Sequence, residues 1–474
     1  MLEKKTRIVC TIGPATESDE MLEKLIKTGM NVARLNTSHG DPQIHGERTK
    51  KIQEIREKLN VPIAVLLDLE GPKMRTKNFK TDEVTLVEGN EFILTSDELD
   101  GDEHIVSLTY SGLVEYVQPK DFILLNDGKV KLEVIKVDKK NIYTKIINGG
   151  TITHRRGINV PGVDIKLPGL TKKDKLYIEN AVKWGIDYIA QSFVRKPEDV
   201  KQTKNILKEL GAPDIPVIVK IETLQAIENL ESIIDAADGV MVARGDLGVE
   251  VPVQKVPLLQ KRIIELANAK AKPVITATQM LETMIENPVP TRAEASDIAN
   301  AILDGTDAVM LSAETSVGAY PIEAVKVMVN VAKETEEYLG DYTFKFDYFS
   351  LEGGDLATNA ISKAAIDTAE DLNIDVIVAS TYSGYTARAL SRFRRSVNII
   401  AASPRKETYN RMALVWGVTP VIMSKFVDTD SMLNNISNIV RTMDYSKKGD
   451  NIIVTAGIPY GFSGTTNLLK VHEV

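Results

Sequence analysis

Short apolar runs alternate with amphipathic stretches along most of the chain. Thr6 to Ile12 is a β-type run closed by Gly13 and Pro14. Ser18 then caps a helical pattern of Met21, Leu22, Leu25 and Ile26 that stops at Gly29. Val32 to Asn36 is a second strand, and Asp41 with Pro42 supplies the cap and first position of a long polar-faced helix reaching Leu59. A third strand, Ile63 to Leu69, carries Asp68 near its end. From residue 70 to 168 the rhythm breaks: alternating strand patterns and turns such as Asn126-Asp127-Gly128 and Asn148-Gly149-Gly150 predict a β-rich insert with no convincing helix.

At Thr171, which with Asp174 resembles a capping box, a helix begins that runs to about Trp184. Five more strands follow: Tyr188 to Phe193, Val217 to Glu222, Val240 to Arg244, Val274 to Thr278, and Ala308 to Ser312. With the first three they make eight, which predicts a (β/α)8 TIM barrel over residues 1–69 and 169–340. The barrel's last helix runs from Pro321 to about Tyr338, and a connector from 340 to 354 leads to a third region, 355–474. There five strands (Val376 to Ser380, Ile399 to Ala402, Pro420 to Met423, Ile452 to Thr455, Leu468 to Val471) alternate with helices and predict an open α/β sheet.

Chemistry collects where the barrel strands end. In a strand, alternate side chains share a face, so Lys220 and Glu222 point the same way, and the next strand delivers Arg244 and Asp246. The same rim receives Arg34, Asn36, Ser38, Asp68, Thr278, Ser312 and Glu314. Any one such pair reads equally well as surface charge. Charges scattered for solubility would fall on both rims, whereas the strand starts mostly carry Pro, Asn, Asp or Gly. Several cations beside several carboxylates suit a phosphorylated substrate held through Mg²⁺.

Composition narrows the setting. A chain of 474 residues with 43% hydrophobic residues calls for several folded domains. A net charge of −8 argues against general nucleic-acid binding and leaves room for a local phosphate pocket. No apolar run approaches a membrane span, and the single cysteine, Cys10, fits a reducing compartment, so a soluble cytoplasmic protein with no membrane partner is expected. Cys10, Trp184 and Trp416 read as packing residues, and the five histidines show no zinc spacing.

Seven motifs carry a family resemblance, in order along the chain: Arg34-Leu35-Asn36 with Ser38-His39-Gly40; Gly71-Pro72 with Arg75; Lys220-Ile221-Glu222; Ala243-Arg244-Gly245-Asp246-Leu247-Gly248; Ala277-Thr278-Gln279-Met280-Leu281-Glu282; Pro290-Thr291-Arg292-Ala293-Glu294; and Met310-Leu311-Ser312-Ala313-Glu314-Thr315. They resemble the signatures of the pyruvate kinases, of the bacterial type without an extra C-terminal phosphohistidine-like domain. The resemblance implies a small β-barrel lid after the third strand, a C-terminal regulatory domain and a homotetramer. It also implies phosphoryl transfer from phosphoenolpyruvate to ADP, giving pyruvate and ATP. By it, Glu222 and Asp246 hold Mg²⁺ (or Mn²⁺), and Lys220 sits on the phosphoryl group and developing enolate. Arg34 grips the phosphate and Thr278, acting with water, helps protonate the enolate carbon. Ala243, Arg244, Gly245, Asp246 and Ser312 line the substrate site. Asn36, His39, Arg75, Asp127 and Arg156 approach the nucleotide. Two other readings compete: a Mg²⁺-dependent aldolase or lyase on the same barrel, which leaves the lid unexplained, and a non-catalytic phosphometabolite sensor, against which the intact Lys220, Glu222, Asp246 and Thr278 argue.

Two departures stand out. The family's K⁺ site is made by Asn36, Ser38 and Asp68 side chains and the Leu69 carbonyl. A segment that commonly reads Asp-Thr-Lys-Gly-Pro-Glu is here Asp68-Leu69-Glu70-Gly71-Pro72-Lys73. Lys73 is therefore expected to replace the monovalent cation's charge and make K⁺ dispensable, against the alternative of a solvated hinge residue. In the third region, Thr381, Ser383, Gly384 and Thr386 lie in a loop the family uses for a sugar-phosphate effector, but a lysine often found there is Tyr382. Arg388, Arg392, Arg394 and Arg395 are expected to supply the charge, or else to form an ordinary solvated helix face.

Overall fold

The computed structural model describes residues 4–339, 356–458 and 466–474, so the connector from 340 to 354 lies outside the described residues. The helix starts form as their sequences require. The Ser18 and Asp41 side chains accept from the N–H groups of Met21 and Ile44, and Thr171 with Asp174 closes a full capping box. Pro42 stands in the first turn, where its missing N–H costs nothing.

Eight parallel strands close into a barrel: Arg7–Thr11, Val32–Asn36, Ala64–Asp68, Tyr188–Gln191, Val217–Ile221, Gly239–Ala243, Val274–Ala277 and Ala308–Leu311. The last pairs with the first, Arg7 opposite Ala308. Several strands stop one or two residues short of the sequence expectation. Phe193 at φ 53° and Thr278 at φ 68° turn into the left-handed region there, which ends the ladder and sends the chain over the rim.

Side-chain parity sorts each strand between two cores. Val217, Val219 and Ile221 face the helix layer, while Ile218 joins Val9, Leu66, Met241, Ile275 and Met310 inside the barrel. Lys220, two residues after Ile218, therefore continues up the inside to the mouth.

The insert is built on two hydrogen-bonded sheets around one core. Six strands run in the order Ile158–Asn159, Phe122–Leu125, Val130–Val137, Asn141–Asn148, Glu91–Thr95 and Ile105–Ser107. Glu83–Leu86 and Gly150–Thr153 form a separate ribbon. Val84, Leu86 and Ile152 of the ribbon share a core with Phe92, Ile123 and Leu132 of the larger sheet. The small barrel expected here is thus closed by side-chain packing and not by a continuous ladder.

The C-terminal sheet is open, in the order Val418–Ile422, Asn398–Ser403, Val376–Ser380, Asn451–Ala456, Leu468–Glu473, with only the last strand antiparallel. This domain plugs the barrel floor: Ala413 and Leu414 belong to the same buried cluster as the barrel interior. Around that plug, Arg7 donates to the carbonyls of Val415 and Val418, and Arg394 reaches Asp307 at 2.9 Å with both side chains almost fully buried.

Candidate active site

At the barrel mouth one lysine is held by three oxygens. Lys220 Nζ lies 2.8 Å from Glu222 Oε1 and 3.4 Å from Asp68 Oδ1, and donates to Ser192 Oγ at 2.7 Å. Burial alone would lower the Lys220 pKa, but Asp68 and then Glu222 hold it above the ordinary lysine value. The ammonium therefore stays charged in a nearly dry site. Asp68 is also buried. Burial pushes its carboxyl up, and the adjacent Lys220 and Arg34 outweigh that and keep it ionised. Arg34 donates to Asp68 Oδ2 at 2.7 Å and to Thr11 Oγ1 at 2.8 Å, which fixes its guanidinium beside the lysine.

Glu222 has no exposed surface, and its Oε2 accepts the Phe193 N–H at 2.7 Å. Its Oε1, although close to Lys220, receives no hydrogen bond of acceptable geometry. Burial, and the negative charge of Asp246, push the Glu222 carboxyl up against the pull of Lys220. A buried carboxylate oxygen without a hydrogen bond beside a second carboxylate fits a hard divalent cation. Among the described residues no cluster of three or more metal-ligating side chains occurs. Mg²⁺ asks for no such cluster: it takes one or two carboxylates and fills its other positions with water and substrate.

Lys73 does not sit where its charge suggested. Its ammonium bonds Asp246 Oδ1 at 2.8 Å and lies 5.7 Å from the centre of the Phe193 ring; no hydrogen bond or ion pair joins it to Asn36, Ser38, Asp68 or Leu69. The reason is electrostatic. Asp68 is already answered by Arg34 and Lys220, and the Leu69 carbonyl accepts Ser192 Oγ at 2.6 Å, so Asp246 is the carboxylate left for the hinge lysine. Asn36 Oδ1 caps the Ser38 N–H at 3.1 Å, next to the exposed His39.

Arg244 also departs from expectation. Its side chain is nine-tenths buried and donates to Asp297 at 2.7 Å and to the Thr278 carbonyl at 2.6 Å, so it braces the end of the seventh strand. The Gly245 N–H is likewise taken, by Thr278 Oγ1 at 2.9 Å, and Thr278 Oγ1 donates to the Ala277 carbonyl at 2.6 Å. Ala243 is the last residue of its strand. Ser312 donates its N–H to buried Glu314 Oε2 at 2.6 Å, whose other oxygen accepts Leu281 N–H and ties the seventh strand's loop to the eighth.

Of the lid residues, Arg75 bonds Glu70 at 3.0 Å at the base, and Arg156 donates to Thr153 Oγ1 at 2.6 Å on an exposed turn. Asp127, at φ 55°, occupies the tight turn beside Gly157 and Lys73. The lid rests on the helix Arg244–Glu250, where Asn159 donates to Glu250 Oε1 at 2.9 Å, and a cleft of about 210 Å³ opens between them, lined by Lys73, Asn159, Phe193 and Glu250. Sequence reasoning missed Ser192, which links Lys220, Asp68 and Leu69. Its only signal is its place just past the fourth strand.

A family model for the pyruvate kinase barrel domain matches residues 3–325, and one for the pyruvate kinase alpha/beta domain matches residues 359–472. The chain belongs to the pyruvate kinase family. It is 48% identical to pyruvate kinases of Staphylococcus aureus strains MRSA252 and USA300 over 99% of its own length and 80% of theirs. The enzyme accordingly transfers the phosphoryl group of phosphoenolpyruvate to ADP, giving pyruvate and ATP. The lyase and sensor readings are not favoured. The family works with Mg²⁺ and K⁺. Among the described residues no helix is long and apolar enough to cross a membrane.

In the C-terminal domain the candidate effector loop buries Thr381, Gly384 and Thr386 and leaves Tyr382 exposed. Gly384, at φ 83°, donates its N–H to Thr381 Oγ1 at 3.0 Å, and Thr386 shares a hydrogen bond with Thr466 at 2.7 Å. Ser383 presents its carbonyl to Arg388 at 3.3 Å. Arg392 and Arg394 reach the barrel through Ala269 and Asp307, Arg395 pairs with Glu370, and Arg388 bonds the loop itself.

Proposed function

We propose that Lys220 and Arg34 carry phosphoryl transfer and Thr278 assists protonation of the enolate. Glu222 and Asp246 are the residues that would hold Mg²⁺ or Mn²⁺, and the metal supplies charge neutralisation at the carboxylate and enolate oxygens. The observation that carries this reading is the pair formed by the permanently charged Lys220 and the buried Glu222 oxygen without a hydrogen bond. A fixed cation in a water-poor site stabilises charge as it develops, without reorganisation at the moment of reaction. Asn36, His39, Arg75, Asp127 and Arg156 hold the nucleotide, and the lid excludes water so that transfer to ADP outcompetes hydrolysis.

The monovalent site comprises Asn36, Ser38, Asp68 and the Leu69 carbonyl. Our reading is that K⁺ is dispensable, because Lys73 brings a positive charge to this rim from within the chain. The support is charge and not contact, since the ammonium rests on Asp246. A phosphorylated effector acts at Thr381, Ser383, Gly384 and Thr386, in a cytoplasmic homotetramer. The deciding assay follows pyruvate formed from phosphoenolpyruvate. It should require both ADP and a divalent cation and vanish in Lys220→Met, whose Mn²⁺ binding persists through Glu222 and Asp246. ADP-independent pyruvate release would point instead to a lyase. Unchanged saturation curves across sugar phosphates, bisphosphates and AMP would remove the effector.

A further inference from the structure

The seventh barrel strand ends in a turn that its own residues do not favour. Thr278 and Gln279, neither of them glycine, stand consecutively at φ 68° and 56°. Such residues keep the left-handed conformation only where their surroundings over-determine it. Two buried charged side chains do so here, one at each end of the turn.

The first is Arg244. Its Nε donates to the Ala277 carbonyl at 3.3 Å, and its Nη2 donates to the carbonyls of Thr278 at 2.6 Å and Gln279 at 3.4 Å. Its Nη1 is held from behind by Asp297 at 2.7 Å and Gln260 at 3.4 Å. A guanidinium has five N–H donors, and all five have protein acceptors. The two left-handed residues undo the alternation of an extended strand and turn three successive carbonyls toward one cation. The second is Glu314, 2% exposed, which accepts the Leu281 N–H at 3.1 Å through one oxygen and the Ser312 N–H at 2.6 Å through the other. Its carboxyl ties the far end of the turn to the loop after the eighth strand.

Between these anchors sits the Thr278 hydroxyl. Its Oγ1 accepts the Gly245 N–H at 2.9 Å and donates to the Ala277 carbonyl at 2.6 Å, the same carbonyl that Arg244 holds. Arg244 therefore reaches Thr278 twice, through the carbonyl of the residue and through the acceptor of its hydroxyl.

We propose that Arg244 and Glu314 are positioning residues for the protonation half of the reaction, clamping the strained turn so that the Thr278 hydroxyl meets the enolate carbon. The inference rests on the reading of Thr278 given above. In the step concerned, the C=C electron pair of the enolate takes a proton delivered through Thr278 and its water and forms the new C–H bond of the methyl group. The C–O bond becomes C=O, and solvent returns a proton to the relay. Phosphoryl transfer, which breaks the P–O bond of the substrate ester, depends on Lys220 and Arg34, on two other strands. Loosening the clamp therefore slows protonation much more than phosphoryl transfer.

The test compares both halves in the full-length enzyme. Protonation is read in reverse, as exchange of the pyruvate methyl protons into deuterium oxide, followed by NMR with Mg²⁺ and inorganic phosphate present. Phosphoryl transfer is read as ATP formed from phosphoenolpyruvate and ADP in a single quenched turnover. Arg244→Lys keeps the charge and loses the fork. Glu314→Gln keeps the shape and turns an NH₂ group toward one of the two N–H donors. Each should slow exchange about 10- to 100-fold, the cost of misplacing a reacting group by about 1 Å, and slow ATP formation far less. Should either variant fail to fold, Asp297→Asn, at the partly exposed back of the guanidinium, gives the same imbalance in milder form. Thr278→Val separates this inference from the reading beneath it. Wild-type exchange in Thr278→Val overturns both. Lost exchange in Thr278→Val with wild-type exchange in the clamp variants, or an equal loss of exchange and ATP formation in those variants, overturns the clamp alone.

Discussion

Before a divalent ion can use both candidate carboxylates, Lys73 must give up Asp246. The two groups stand 2.8 Å apart with side chains 17% and 25% exposed, neither a free surface pair nor a buried one. At that distance Coulomb attraction is about 6 kcal/mol for an effective dielectric of 20 and about 1.5 kcal/mol in bulk water. Partial desolvation and the entropy of holding a lysine on a hinge reduce the net to about 1–2 kcal/mol. Lys73→Met removes this competitor and should tighten Mn²⁺ binding to the substrate-free enzyme about 5- to 30-fold. Electron paramagnetic resonance titration of free Mn²⁺ measures this directly, and added salt should shrink the difference by screening the wild-type pair. Activity in tetramethylammonium buffer provides the second arm. Wild type should turn over without K⁺, and Lys73→Glu should acquire a K⁺ requirement. Equal Mn²⁺ affinities in wild type and Lys73→Met would refute the competition. An absolute K⁺ requirement in wild type, or K⁺ independence that survives Lys73→Glu, would refute the charge argument.

Other consequences follow from strain and burial. Thr278 holds a β-branched side chain at φ 68°, a conformation costing about 1–3 kcal/mol. Thr278→Gly should therefore leave thermal stability equal or higher while turnover drops about 10²- to 10⁴-fold, with Thr278→Ser retaining much of it; wild-type turnover in the glycine variant would remove Thr278 from the reaction. Arg394→Met strands Asp307 in the floor of the barrel and should cost roughly 3–5 kcal/mol, read as a lowered denaturation midpoint; an unchanged midpoint would show the domain joint to be held by the Ala413 and Leu414 plug alone. Lys4 is buried, and burial first, with Arg7 second, lowers its pKa from 10.5 to about 7. Between these values the unfolded chain binds the extra proton, so stability should rise with pH from about 7 towards 10. The melting temperature of Lys4→Met relative to wild type should fall over the same range, and a pH-independent difference would contradict the shift.

The barrel was legible because each strand buries both faces and each helix carries its own start signal. Val217-Ile218-Val219 reads as a strand in any context, and Ser18, Asp41 and Thr171 mark helix starts by local hydrogen bonding alone. The rim chemistry was legible for the same reason: parity within a strand puts Lys220 above Ile218. Less was legible where the chain leaves regular structure. Phe193 and Thr278 turn left-handed just past their strands, and no local pattern announces a positive φ in a phenylalanine or a threonine. Ser192 gained its role only because the fourth strand lies between the third and fifth.

By itself the sequence determined the order and type of elements and the set of charged groups delivered to one rim, since these follow from periodicity and from spacing along single strands. Tertiary structure alone decided how those charges pair. Arg244 turned to Asp297, Lys73 went to Asp246 in place of the monovalent site, and Arg394, past the end of its helix at φ 52°, went to Asp307. A side chain's partner depends on which carboxylates other strands have already committed, and that competition is settled across more than a hundred residues of chain for Lys73 and Asp246 (173 apart), not within any local window.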